Sequence, residues 1–301
     1  AGPGGNRLFY KGLIDRLGVT AHIYRVGTYK SAVEPYMRAD QSPAAREASA
    51  ALYSVLWDSW LAEVKKSRPQ AMAKPFADDP AAFITAAGGD YASVAMKQKL
   101  VDKLGDKTAF DRFVAEQVGT DEKPSPDSFQ SIDYDDFVAA HPLDRQGAAI
   151  GVITVAGEIV GGKTGPGMAA SGRIAELIYA ALDENEIKAL VVRIDSPGGS
   201  AFASEEIRLA LLEAKKKKMP IVVSMGDVAA SGGYWVATAG DHIFAEPDTI
   251  TGSIGVFAVL PSFEKALAKW GVTADGVQTT PLSGEPNFVG GFSEDLNAIL
   301  Q

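Results

Sequence analysis

Leu190-Val-Val-Arg-Ile-Asp-Ser-Pro-Gly-Gly-Ser200 decides the fold, together with Ile221-Val-Val-Ser-Met225 and the Gly226-Asp-Val-Ala-Ala-Ser-Gly-Gly-Tyr-Trp235 that follows it. Each is a short apolar, β-branched run that ends in a Gly-Gly pair and passes into helical periodicity, the signature of a strand, a tight turn and a helix. Working outward, strands are expected at 149–156, 189–195, 220–225 and 242–246, alternating with helices at 171–182, 202–217, 232–239 and 262–270. That alternation predicts an α/β fold with mostly buried sheets. Towards the N-terminus, residues 7–18 read as an amphipathic helix stopped by Gly18, and Val19 to Val26 alternate as a half-buried strand. Gly27-Thr-Tyr-Lys30 therefore lies at a strand end. Ser42-Pro43 opens a long helix that runs through Val64, and shorter helices are expected near 91–104 and 108–118. Residues 119–147, with Asp-Glu-Lys-Pro-Ser-Pro-Asp at their front, read as a linker.

Composition narrows the function. With 301 residues, 46% hydrophobic and 22% charged, the chain can bury one large or two ordinary cores. A net charge of −9 disfavours electrostatic binding to nucleic acid or anionic lipid, and the one basic run, Lys215–Lys218, closes a helix where cations complement the dipole. The absence of cysteine excludes thiolate catalysis and disulfides. His22, His141 and His242 lie far apart, without the spacing of a metal site, so no metal or other cofactor is expected. No run reaches the roughly 18 apolar residues of a membrane span. The opening Ala-Gly-Pro-Gly-Gly, directly before a helical pattern, suggests a fragment whose front, with any signal or anchor, lies outside this sequence.

Leu17-Gly-Val-Thr-Ala21 recurs as Trp270-Gly-Val-Thr-Ala274, each time after a helix and before an expected strand. This points to a tandem duplication, and the same register sets Lys30 opposite Ser283. The expected organisation is the back of a first copy at 1–118, the linker at 119–147, and the front of a second copy at 148–301.

The two Gly-Gly turns carry the chemistry. Glycines where a strand meets a helix let backbone N–H groups point at a developing negative charge, and a serine opening the next helix can attack a carbonyl held there. A serine nucleophile needs a base. His242 reads as a strand residue, whereas lysine can serve if burial lowers its pKa from about 10.4 by roughly 3 units. Lys30, in Val26-Gly-Thr-Tyr-Lys-Ser-Ala-Val33, has the apolar and hydroxyl neighbours this requires. Two formal matches do not hold. Gly157-Glu-Ile-Val-Gly-Gly-Lys-Thr164 fits the phosphate-binding string, but Gly165-Pro-Gly167 breaks the helix it needs. Ser262-Phe-Glu-Lys265 and Lys163-Thr-Gly165 fit β-lactamase strings in the wrong chain order.

Taken together, Arg7–Gly12, Tyr24–Pro35, Ser42–Glu47, Ser196–Ser200, Gly226–Trp235 and Thr251–Val256 resemble the bacterial signal peptide peptidases, serine/lysine proteases, in their long tandem-repeat form. The resemblance implies a Clp-protease/crotonase-like superhelix of β-β-α units. It implies Ser231 as nucleophile, Lys30 as general base and Ser253 as a hydroxyl that orients the lysine. Gly198 or Gly199, with Gly232, would form the oxyanion hole. It further implies cleavage of signal peptides and other extended hydrophobic peptides, and a homo-oligomer such as a tetramer-like ring. The catalytic part would stand on the periplasmic side of the bacterial inner membrane, held there by a segment outside this chain. Two rival functions fit parts of the pattern: a crotonase-like acyl-coenzyme A enzyme, which leaves the Lys30 block unexplained, and a non-catalytic scaffold for membrane proteases.

Overall fold

The computed structural model describes residues 2–121, 129–142, 147–183 and 187–301. They form two compact units, one built on Trp57–Gly147 and the other on Gly4–Leu56 with Ala148–Gln301. The copies expected along the sequence and these units are different divisions: compactness groups the Lys30 segment with the second half of the chain. Part of the expected linker, residues 122–128 and 143–146, lies outside the described residues, and Tyr134–Ala140 within it form a helix.

The Trp57–Gly147 unit is helical. Three of its helices start where aspartates accept the first free N–H groups: Asp79 from Ala82, Asp90 from Ser93 and Asp106 from Ala109. The helix expected over 91–104 stops at Lys97, because Lys99 turns left-handed at φ 58°.

The other unit holds nine strands among the described residues: β1 (Thr20–Val26), β2 (Ala149–Ala156), β3 (Glu158–Val160), β4 (Met168–Ala170), β5 (Ile187–Ser196), β6 (Ile221–Ala230), β7 (His242–Phe244), β8 (Ile250–Gly252) and β9 (Val256–Ser262). Five of them make a parallel sheet in the order β2-β5-β6-β7, with β8 taking over beside the far end of β6. The helices Ser171–Asp183, Ala201–Lys216 and Gly232–Ala237 cover one face, where Ile174, Ile178, Ile207 and Leu211 pack against Val155, Leu190, Val192, Ile194 and Val223. Each such side chain contributes about 1.5–3 kcal/mol on burial. The expectation of mostly buried sheets holds for that face. On the other, Val152 and Phe244 are each 65% exposed.

Strand β9 is absent from the sequence reading, and the helix expected at 262–270 is confined to Glu264–Ala268. Pro261 interrupts the apolar pattern of β9, which a two-stranded ribbon tolerates. β9 pairs antiparallel with β1, from Thr20 opposite Ser262 to Val26 opposite Val256. The repeat is kept at Gly18 and Gly271, left-handed at φ 78° and 70°, but residues 272–278 form no strand. β1 is a strand because β9 supplies its hydrogen bonds, and the second copy of the motif has no such partner among the described residues.

At the open end of the ribbon the chains approach closely. Gly27 and Gly255 have φ 109° and 131°, and a Cβ on Gly255 would collide with the Val26 carbonyl oxygen. Gly255→Ala is expected to destabilise the protein by about 2 kcal/mol or more, through both clash and backbone strain. Urea unfolding would measure it, and an unchanged midpoint would refute the close approach.

Candidate active site

Three strand ends bring the site together. In the parallel register of β6 and β8, Ala230 stands opposite Gly252, so the residues that follow run side by side, and Ser231 donates its N–H to the Gly252 carbonyl at 2.8 Å. Beyond β8 the chain turns through Ser253 to Gly255 and enters β9. There the ribbon returns it to the end of β1 and hence to Lys30.

Lys30 is 6% exposed. Its Nζ lies 3.1 Å from Ser231 Oγ, 3.1 Å from Ser253 Oγ and 2.6 Å from the Ser253 carbonyl oxygen. No ion pair involves it among the described residues, and burial lowers its pKa from the ordinary 10.5. The contacts suit a neutral amine. Two N–H groups can donate to the Ser253 carbonyl and hydroxyl, which leaves the lone pair to accept the Ser231 O–H.

Ser231 and Ser253 are held at φ 52° and 51°, positions that disfavour a side chain. Ser231 immediately precedes the helix Gly232–Ala237, so its Oγ sits where a strand gives way to the first free N–H groups of a helix. The Gly198-Gly199 turn closes the other side. Gly198 packs so tightly that a Cβ on it would stand 2.5 Å from the Gly232 nitrogen and 2.8 Å from Ser231 Cβ. Its N–H is already donated to Ser196 Oγ at 3.1 Å, whereas those of Gly199 and Gly232 have no acceptor among the described residues.

Every site residue expected from sequence thus gathers in one place. His242 opens β7 as an exposed strand residue, His22 bonds Ser262 Oγ at 2.8 Å, and Ser283 bonds the hydroxyls of Thr279 and Thr280. No helix follows Lys163-Thr164, whose lysine pairs with Glu176. Sequence reasoning missed the Ser253 carbonyl, for which a side-chain pattern gives no signal, and Ser196. It also missed the close approach of Gly27 to Gly255: Gly27 stood at the expected end of β1, a usable signal, whereas the strand that follows Gly255 left none.

The family model described as Peptidase family S49 matches residues 2–120 and 213–301. Protease 4 of Salmonella typhi is 42% identical over 298 residues, covering 98% of this chain and 48% of that protein. Protease 4 of Haemophilus influenzae is 38% identical, covering 93% and 46%. The chloroplastic serine protease SPPA of Arabidopsis thaliana is 30% identical, covering 89% and 39%. This chain therefore spans about half the length, or less, of these curated relatives. With two matched segments that take in both Lys30 and the region from Ser231 to Ser253, the chain belongs to Peptidase family S49.

Proposed function

We propose that this chain is the reactive part of a serine endopeptidase with a Ser231/Lys30 dyad. The observation that carries the reading is the 3.1 Å separation of Lys30 Nζ and Ser231 Oγ in a buried setting where, among the described residues, no carboxylate pairs with the amine. Neutral Lys30 takes the Ser231 proton as Oγ bonds to the scissile carbonyl carbon, and the carbonyl π electrons move to the oxygen. The oxyanion is held by the N–H groups of Gly199 and Gly232; Gly198, whose N–H is committed to Ser196, acts by packing. Collapse breaks the C–N bond, the leaving amine takes the proton from Lys30, and an acyl-enzyme on Ser231 remains. Water then attacks the ester, gives its proton to Lys30, and the acid is released as Ser231 recovers its proton.

The substrate class is an extended hydrophobic peptide, such as a cleaved signal peptide. Exposed apolar side chains adjoin the reacting groups in sequence: Tyr29 beside Lys30, Ile254 beside Ser253, and Phe202 after the Gly-Gly turn. The βα units and the Gly18/Gly271 echo favour a Clp-protease/crotonase-like tandem repeat, and with it a ring-like homo-oligomer. Among the described residues no helix is long and apolar enough to cross a membrane. Attachment to the periplasmic face of a bacterial inner membrane would rest on a segment outside this sequence.

A fluorophosphonate should label Ser231, as peptide mapping would show. Acyl-coenzyme A chemistry or a scaffold role predicts no serine adduct, and a missing adduct in protein that binds peptide would overturn the reading. Ser253→Ala is expected to lower kcat by about 10- to 100-fold through misalignment of the amine, with the Ser253 carbonyl contact retained. Steady-state kinetics that leave kcat within two-fold would remove the Ser253 hydroxyl from the machinery.

A further inference from the structure

We propose that Ser196 is a positioning residue that helps to set the oxyanion-binding Gly199 N–H by fixing the peptide plane before it, an inference that rests on the serine peptidase reading above. Ser196 is the last residue of β5 and fully buried. Its hydroxyl donates to the Gly157 carbonyl at 2.6 Å and accepts the Gly198 N–H at 3.1 Å. One proton and one lone pair thus tie the turn before β3 to the Gly198-Gly199 turn.

Gly198 and Gly199 sit at φ 93° and 157°, and two adjacent glycines are the least restrained backbone a chain can have. Their direction must therefore be imposed from outside. Two backbone bonds do part of this, Ile159 N–H to the Gly198 carbonyl and Ser200 N–H to the Ile159 carbonyl, each 2.9 Å. The first holds the plane that carries the Gly199 N–H, because that N–H and the Gly198 carbonyl share one planar peptide unit, whereas the plane before it, that of the Gly198 N–H, is held by the Ser196 hydroxyl. With both planes of the turn held, the Gly198 N–H inward to Ser196 and the Gly198 carbonyl to Ile159, the Gly199 N–H keeps one direction and is left to meet a substrate oxygen.

The placement of Ser196 fits this role. It stands opposite Ala229 in the β5–β6 register, two residues before Ser231. Its carbonyl and Cβ lie 2.8 and 3.4 Å from where a Gly233 Cβ would be. Ser196 therefore borders the helix start that carries the second N–H donor, Gly232, while its hydroxyl bonds the glycine turn. A buried serine whose only task was to fill space could be alanine. Here its removal leaves the half-buried Gly157 carbonyl without its donor and the buried Gly198 N–H without its acceptor.

The test is Ser196→Ala in the intact protein, with Ser196→Cys as a variant of similar size and weaker hydrogen bonding. Removing a whole oxyanion donor costs about 10²- to 10³-fold in kcat, so misdirecting one should cost about 10- to 100-fold. We expect that loss in Ser196→Ala, a smaller one in Ser196→Cys, and KM within two-fold in both. Affinity for a peptide aldehyde, whose hemiacetal with Ser231 needs the oxyanion site, should fall by the same factor as kcat/KM. The pH midpoint of kcat should not move, because Lys30 is untouched. A kcat within two-fold of wild type in Ser196→Ala, or an aldehyde affinity that stays constant while kcat falls, would overturn the inference. If Ser196→Ala does not fold, the ranking of Ser196→Cys against wild type in aldehyde affinity decides, with equal affinities overturning it. These failures leave fluorophosphonate labelling of Ser231 intact. Loss of labelling in the wild type would instead remove the peptidase reading itself.

Discussion

Ser231→Ala is expected to lower peptide turnover by about 10⁴-fold or more while leaving the protein folded, since removal of a nucleophile that acts as one unit with its base disables both. The backbone adds a second expectation. Ser231 is held at φ 52° and ψ −116°, a conformation that disfavours a Cβ but not glycine. Ser231→Gly should therefore be as inactive as Ser231→Ala yet more stable than it by about 1 kcal/mol, the size of strain stored at one such position. Turnover assays and urea unfolding of the pair would check this. Equal stabilities would mean that the turn is not strained, and undiminished turnover in either variant would place the nucleophile elsewhere.

What could be read from the sequence was what leaves a local signal, and what could not was made by distant pairing or by the backbone. The Gly-Gly turns, the alternation of β2, β5 and β6 with their helices, and the places of Ser231 and Lys30 beyond strand ends were legible because each leaves a local signal: periodicity, a glycine pair, a lysine among apolar and hydroxyl neighbours. The helix ends at Gly18 and Ser42-Pro43 were legible for the same reason. β9 was not, because Pro261 reads as a break and the strand exists only through pairing with β1, far away in sequence. The second copy of the Gly-Val-Thr-Ala motif makes the converse point. The same local sequence forms a strand after Gly18 and none after Gly271, so the motif permits a strand and the partner decides. The site has the same character. Ser253 carries a motif, but its more intimate contact with Lys30 is a carbonyl at 2.6 Å, and any residue would supply one.

Lys30 carries the other large expectation. Lys30→Ala, Lys30→Met and Lys30→Arg should all lose turnover to a degree comparable with Ser231→Ala, the arginine because it stays protonated and cannot accept the serine proton. In the wild type, kcat should rise with pH as the ammonium loses its proton, with a midpoint below 10.5, because burial lowers the pKa. The same shift acts on stability. Between the lowered pKa and 10.5 the folded chain binds fewer protons than the unfolded chain, so the contribution of Lys30 to stability rises with pH across that window. Below the window the folded state bears the whole cost of a buried ammonium. Lys30→Met should accordingly be inactive yet at least as stable as wild type at neutral pH, and its unfolding midpoint should lose the part of the pH dependence that Lys30 supplies. A structural lysine would give the opposite result, with Lys30→Met less stable and Lys30→Arg largely active. A kcat profile with a midpoint near ~6.5 that disappears in His242→Ala would assign the base to histidine, which the exposed position of His242 on β7 argues against.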